Sequence, residues 1–250
     1  PTITATPAGD PIDLAAAKLQ PVDGVVLEAA HRSRARMLGD WIDPSVRNEL
    51  DPDDRDPQFD LYAASGVQPP YPRDWLAAYR EAQLQRIRRI TAWVEQTLHE
   101  LRRRGTAELE RGFVTHRTMA EPRFLDGTIE PNDRPIGRCY LGVPETVNTG
   151  PVGLGRFSTL RAWLSQWSID HSRADGEGCA ANVSVPFLAI EHSADDAVPQ
   201  PDIGLMYRAC ASTDKEMHCI RGANHYFKGQ PEHLQQSVGL ITGWADRHGW

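Results

Sequence analysis

Three short stretches have largely apolar interiors and read as buried strands. They are 22–29 (VDGVVLEA), 185–192 (VPFLAIEH) and 216–221 (EMHCIR). Their interiors do not alternate apolar with polar. A strand wetted on one face alternates, whereas a strand covered on both faces does not. The three therefore predict central strands of a parallel sheet with helices on both sides. Helical spacing fills much of the rest. Between Asp74, which can cap a helix, and Gly105, which can end one, apolar residues from Leu76 and Tyr79 through Ile87, Ile90, Val94, Leu98 and Leu101 recur at three- and four-residue intervals. Such a helix would be roughly 45 Å long. A second helix is expected after Ser158, over TLRAWLSQWSIDH, carrying Leu160, Trp163, Leu164 and Trp167. A third covers about 201–212. A fourth starts at Pro231 and packs Leu234, Val238, Ile241 and Trp244.

The pattern divides the chain into a core segment 1–40, a mostly helical insertion 41–181, and a core segment 182–250. The insertion holds two loop-like stretches, DPDDRDPQ at 51–58 and DGTIEPNDRPIG at 126–137. Three strands are few for an α/β chain of 250 residues, because open sheets usually hold about four to six. Unpaired backbone groups in a covered sheet are costly. Either further strands escape the pattern, or others come from outside this chain, and the second is favoured.

Charge and composition narrow the partners. The net charge is −7, and the basic runs RIRRI (86–90) and LRRRG (101–105) fall within the long helix as a solvated face. Nucleic acid is not an expected partner. Cys139, Cys179, Cys210 and Cys219 form no CxxC pair, so a reduced, cytoplasmic protein is the expectation. No apolar run approaches the roughly 18–20 residues of a membrane span. The opening PTITATPAGDP begins at Pro1 and reads as an extended lead-in without a start of its own, which suggests a processed or partial chain. No metal-ligand spacing and no phosphate loop is found, so neither metal nor cofactor is expected.

The candidate chemistry lies at two strand ends. The second strand runs into HSADDAVP, with Asp195 just past its carboxyl end and Asp196 next to it. A helix follows, then the third strand, then GANHYF with His225. A right-handed crossover makes the two strands parallel. Both loops then open at the carboxyl edge, where such sheets bind ligands. Asp195 can meet His225 there, orient one ring nitrogen, and leave the other to take a proton from a hydroxyl nucleophile. Tyr226 and Phe227 could wall a pocket or anchor the loop. His31, after the first strand, reaches the same edge. Trp163 and Trp167, four apart on a helix, could line an apolar pocket or pack in a core.

VPFLAIEHSADDAVP followed by HCIRGANHYF resembles the C-terminal part of the α/β-hydrolase fold. That family carries an apolar strand, an acid loop of the form [GS]-x-A-D-x-x-x-P, and a G-A-x-H loop. The resemblance implies Asp195 as triad acid, with Asp196 the alternative if the register shifts, and His225 as base. It also implies 41–181 as a lid and the fourth helix as the closing helix. The family's nucleophile motif G-x-S-x-G and its HGGG-type oxyanion segment are missing from this chain. The expectation is that a separate N-terminal chain or segment supplies the serine and the remaining strands. The alternatives are a pseudoenzyme or an internal nucleophile such as Ser33 or Ser193. The implied substrate is a small hydrophobic ester or related acyl compound. Members that hydrolyse C–C bonds, lyases and cofactor-free oxygenases keep the reaction type open. A non-catalytic ligand-binding protein is the reading from another class.

Overall fold

In the computed structural model, residues 3–198 and 201–250 are described. Pro1 and the Pro199 of the acid loop lie outside the described residues. In chain order the first elements are β1 (Val25–Glu28), α1 (Arg34–Trp41), the hairpin strands β2 (Val46–Asn48) and β3 (Asp51–Arg55), and α2 (Arg73–Arg104). Then come β4 (Gly112–Val114), α3 (Pro144–Thr149), β5 (Phe157–Thr159), α4 (Leu160–Gln166) and α5 (Gly176–Ala180). The chain closes with β6 (Phe187–His192), α6 (Asp202–Ala209), β7 (Lys215–Ile220) and α7 (Pro231–Arg247).

The three apolar stretches form one parallel sheet in the order β1-β6-β7. Successive side chains on a strand point to opposite faces, and both faces are covered. Phe187 and Ala189 pack with Ile203 and Met206 of α6, while Leu188 and Ile190 pack with Trp244 of α7. That double cover is fullest at the central strand β6, whose FLAI reads as an unbroken apolar run, while β1 and β7 are partly buried.

The strands that the pattern missed are real, but none belongs to this sheet. β2 pairs with β3, and β4 with β5, as two short antiparallel ladders inside the inserted region. Their sequences, such as DPDDR in β3, carry no apolar alternation. Among the described residues no strand pairs with the outer edge of β1. Val25 N–H donates to Pro186 O and Ala29 N–H to Ile190 O, both at 2.9 Å. In a parallel ladder this parity turns the Val26 and Glu28 amides to the open side.

Several boundaries shift. α2 starts at Arg73 with Pro72 as N-cap, and Asp74 sits in its first turn. Gly105, at φ +63, ends it as expected. Ser158 belongs to β5; Thr159 caps α4 instead, its Oγ1 accepting from Ala162 N–H at 3.3 Å. α4 stops at Gln166 rather than running to His171. In α7, Trp244 is buried and Leu240 and Ile241 are partly buried, but Leu234 and Val238 are 49% and 50% exposed. The helix turns the Ser237–Trp244 side inwards and leaves that apolar pair uncovered.

The inserted region has its own core. Trp41, Trp163, Trp167, Phe124 and Met119 pack there against the Ile90, Val94 and Leu98 side of α2. Ala8, Met37 and Leu38, assigned from sequence to the core segment 1–40, join this cluster. Asp10 is tied to it by Arg102 and Arg161. Ala197 and Val198 of the acid loop also enter it, so the insertion is packed directly against the site.

Candidate active site

After β7, Gly222 turns the chain at φ +75, backbone that glycine adopts without a Cβ clash. Asn224 folds the following loop on itself: its Oδ1 accepts from Lys228 N–H at 2.9 Å. Gln230 braces the loop, accepting from Asn224 N–H at 2.9 Å and donating to Gly222 O at 2.7 Å. The acid loop is laced to it. Ser193 N–H donates to Ile220 O at 3.2 Å and Ala194 N–H to Ala223 O at 3.0 Å. Two loops far apart in sequence are thereby held side by side at the carboxyl edge.

His225 Nδ1 lies 2.9 Å from Asp195 Oδ2. The Asp195 side chain is buried, and its Oδ1 accepts from Ala197 N–H at 2.8 Å and Val198 N–H at 2.6 Å. With both oxygens engaged the carboxylate is fixed. A carboxylate facing Nδ1 selects the tautomer that leaves the Nε2 lone pair free. Asp196 meets the backbone instead of the ring: its Oδ1 accepts from His225 N–H at 3.3 Å. Burial disfavours a charged ring, but the Asp195 hydrogen bond and the charges of Asp195, Asp196 and Glu28 outweigh it, so His225 titrates above the ordinary histidine value.

His225 is 18% exposed at its side chain and lines a cavity of about 290 Å³. His31, Arg34, Met37, Trp41, Tyr140 and Tyr226 share the walls. His31 and Tyr226 therefore stand with His225, and the Tyr226 ring meets the His225 ring edge-on at 4.5 Å. Phe227 lies against His192 instead, with ring centroids 4.4 Å apart. Trp163 and Trp167 are placed elsewhere. They stack at 5.0 Å inside the inserted region, where Trp163 Nε1 donates to Thr91 Oγ1 at 2.9 Å. Leu154 is on the cavity wall, and Trp167 lies behind it, so close to Gly155 that a Cβ there would fall 2.6 Å from the ring. Trp163 faces α2 through that bond, Trp167 follows as the C-cap of α4, and both rings are buried in the core cluster.

Neither serine considered from sequence faces the ring. Ser33 caps α1, accepting from Arg36 N–H at 3.4 Å. Ser193 is buried; its Oγ donates to Asp133 and accepts from Gly222 N–H at 2.8 Å. Among the described residues no side chain hydrogen-bonds His225 Nε2.

A second histidine–carboxylate pair went unread in the sequence. Glu28 ends β1 and His192 ends β6, and they meet at the same edge with Oε1 3.1 Å from Nε2. The strand-end argument that singled out Asp195 and His225 applies equally to them. The His192 hydrogen bond, opposed by burial and aided by Ser237, keeps Glu28 below the usual carboxylate range. Arg34 and Tyr140 were also missed, because a helix start and a loop tyrosine carry no pattern. Tyr140 N–H donates to Asp196 O at 2.9 Å, and burial pushes its phenol up to about 12.

A larger cavity, about 580 Å³, lies within the inserted region near Trp93, Phe113 and Leu50. Its lining includes Glu49 and His116, but Glu49 is held by Arg86 and Arg89 and no hydrogen bond joins it to the histidine, so the chemistry is assigned to the smaller one. Among the described residues no three His, Cys, Asp or Glu side chains converge as metal ligands. None of their helices is long and apolar enough to cross a membrane.

No protein-family model matches the chain, and no curated protein sequence matches it. Two solved structures share part of its backbone. A soluble variant of monoglyceride lipase from Saccharomyces cerevisiae, solved with a substrate analog, is 16% identical with a TM-score of 0.29, over 42% of this chain and 38% of the lipase. BpoC of Mycobacterium tuberculosis H37Rv, described as a non-heme bromoperoxidase, is 20% identical with a TM-score of 0.26, over 34% of this chain and 31% of that one. The chain thus spans less than two fifths of the length of either protein, and neither likeness at these values assigns it to a family.

Proposed function

We propose that this chain carries the acid and the base of an α/β-hydrolase-type enzyme that cleaves a carboxylic ester or related acyl compound through an acyl-enzyme. The observation that carries the reading is the His225–Asp195 pair, 2.9 Å apart, with Nε2 unclaimed at a cavity. His225 would take the proton of a serine hydroxyl as it attacks the acyl carbon, then return it to the leaving oxygen. Asp195 holds the ring and stabilises the imidazolium without taking the proton. The same pair would then activate water to release the acid. Met37, Trp41 and Leu154 give the cavity apolar walls suited to an acyl chain. Residues 41–181 act as the lid.

The serine, its oxyanion donors and further strands are supplied outside these 250 residues. Two features support this: the outer edge of β1, which no strand pairs with among the described residues, and the exposed Leu234 and Val238 of α7. The test is to isolate the protein with whatever it is joined or bound to and treat it with a fluorophosphonate. The label should fall on a serine outside this sequence, and His225→Ala should abolish both labelling and p-nitrophenyl ester hydrolysis. A folded His225→Ala variant with undiminished hydrolysis would overturn the reading.

A further inference from the structure

The cavity beside His225 is not uniformly apolar. Arg34, the first residue of α1, lines it. Its Nε donates to Gln166 Oε1 at 3.2 Å. Among the described residues its Nη1 and Nη2 donate to no group, and no carboxylate lies within 4.0 Å. The neighbouring Arg32 shows the contrast, paired with Glu177 at 3.1 Å and Asp202 at 3.5 Å. Beside Arg34 on the wall is His31, whose Nδ1 is buried without a hydrogen-bond partner. Burial first, and then the Arg34 charge, hold His31 below the ordinary histidine value, and a neutral imidazole still carries one N–H donor. The one carboxylate on the same wall, Glu28, already has its Oε1 engaged by His192 and Ser237.

We propose that Arg34, with His31 beside it, is the anion-recognising end of this cavity, and that the ligand is a short acyl compound bearing its own carboxylate. A guanidinium whose Nη1/Nη2 edge is free matches a carboxylate in a bidentate geometry, and its attraction is stronger in a half-buried cavity than in water. The apolar walls then take the middle of the ligand and His225 the acyl carbon. A monoester of a dicarboxylic acid, or an oxo acid, has this layout. The inference rests on the cavity being the substrate site proposed above.

The test measures binding to the full chain with two matched probes, hexanoate and hexanamide, by NMR titration at low salt. Hexanoate should bind about tenfold tighter or more. Arg34→Gln should remove that preference, and Arg34→Lys should restore part of it. A backbone amide spectrum checks that each variant is folded. Equal binding of the two probes, or a hexanoate preference that survives Arg34→Gln, would sink the proposal. The two readings fail separately: ester hydrolysis that survives His225→Ala removes the triad, yet an Arg34-dependent hexanoate preference still supports the anion site.

Discussion

Glu28 and His192 meet across neighbouring strands with Oε1 3.1 Å from Nε2, and the other nitrogen of the same ring lies 3.0 Å from Asn224 O. Both ring nitrogens therefore face acceptors. Ser237 of α7 donates to the same Glu28 oxygen. One buried contact thus joins β1, β6, α7 and the loop that carries His225.

Glu28→Gln replaces the carboxylate that faces His192 and Ser237 with an amide. Loss of a partly buried, hydrogen-bonded carboxylate costs about 1–3 kcal/mol, to be read as a lower denaturation midpoint in urea. Because Glu28 is held below its free value, its contribution is present above the unfolded carboxylate pKa, about 4.3. It is lost as the pH falls through the lower folded value. The variant should therefore differ most from the parent at neutral pH and converge with it in acid.

His225 has the opposite sign. Its folded pKa is raised, so its contribution to stability is complete below the unfolded value, about 6.5. That contribution is lost as the pH rises through the folded value. Following the ring Cε1–H by NMR should give a midpoint above that of a free histidine. Asp195→Asn should lower the midpoint, and an unchanged midpoint would show that Asp195 is not the cause.

Asp195→Ala should be harsher than Asp195→Asn. Alanine strands the buried amides of Ala197 and Val198, both bonded to Oδ1, at about 1–3 kcal/mol. Asparagine keeps an acceptor for them. Thermal melts of the two variants should separate, with the alanine form melting lower.

Trp163 offers a test of position. Thr91→Val removes the acceptor of Trp163 Nε1, leaving a buried donor unpaired at about 1–3 kcal/mol. Trp163→Ala should cost about 3–5 kcal/mol. Neither is expected to change hexanoate affinity, since the tryptophan is outside the cavity wall; a large change would return it to the pocket.

The central strand β6 was legible because burial on both faces leaves an apolar run, the partly buried β1 and β7 carried a weaker form of it, and the strand-end rule then led to Asp195 and His225. The short strands β2 to β5 were not, since three to five polar residues paired across a hairpin leave no periodic trace. Trp163 and Trp167 had the same helical spacing whether they faced a ligand or a core, and only tertiary packing separates the two. Arg34 was invisible for a different reason. Its significance lies in carboxylates that are not near it, and spacing along a chain says nothing about that.

The open side of β1 also has a signature in time. The amides of Val25, Leu27 and Ala29 face β6, whereas those of Val26 and Glu28 face outwards. In deuterated solvent the isolated chain should show a two-residue beat along this single strand, with slow and fast exchange in turn. Docking of a further strand would turn the beat into uniform protection, and the residues that slow down would mark where it docks.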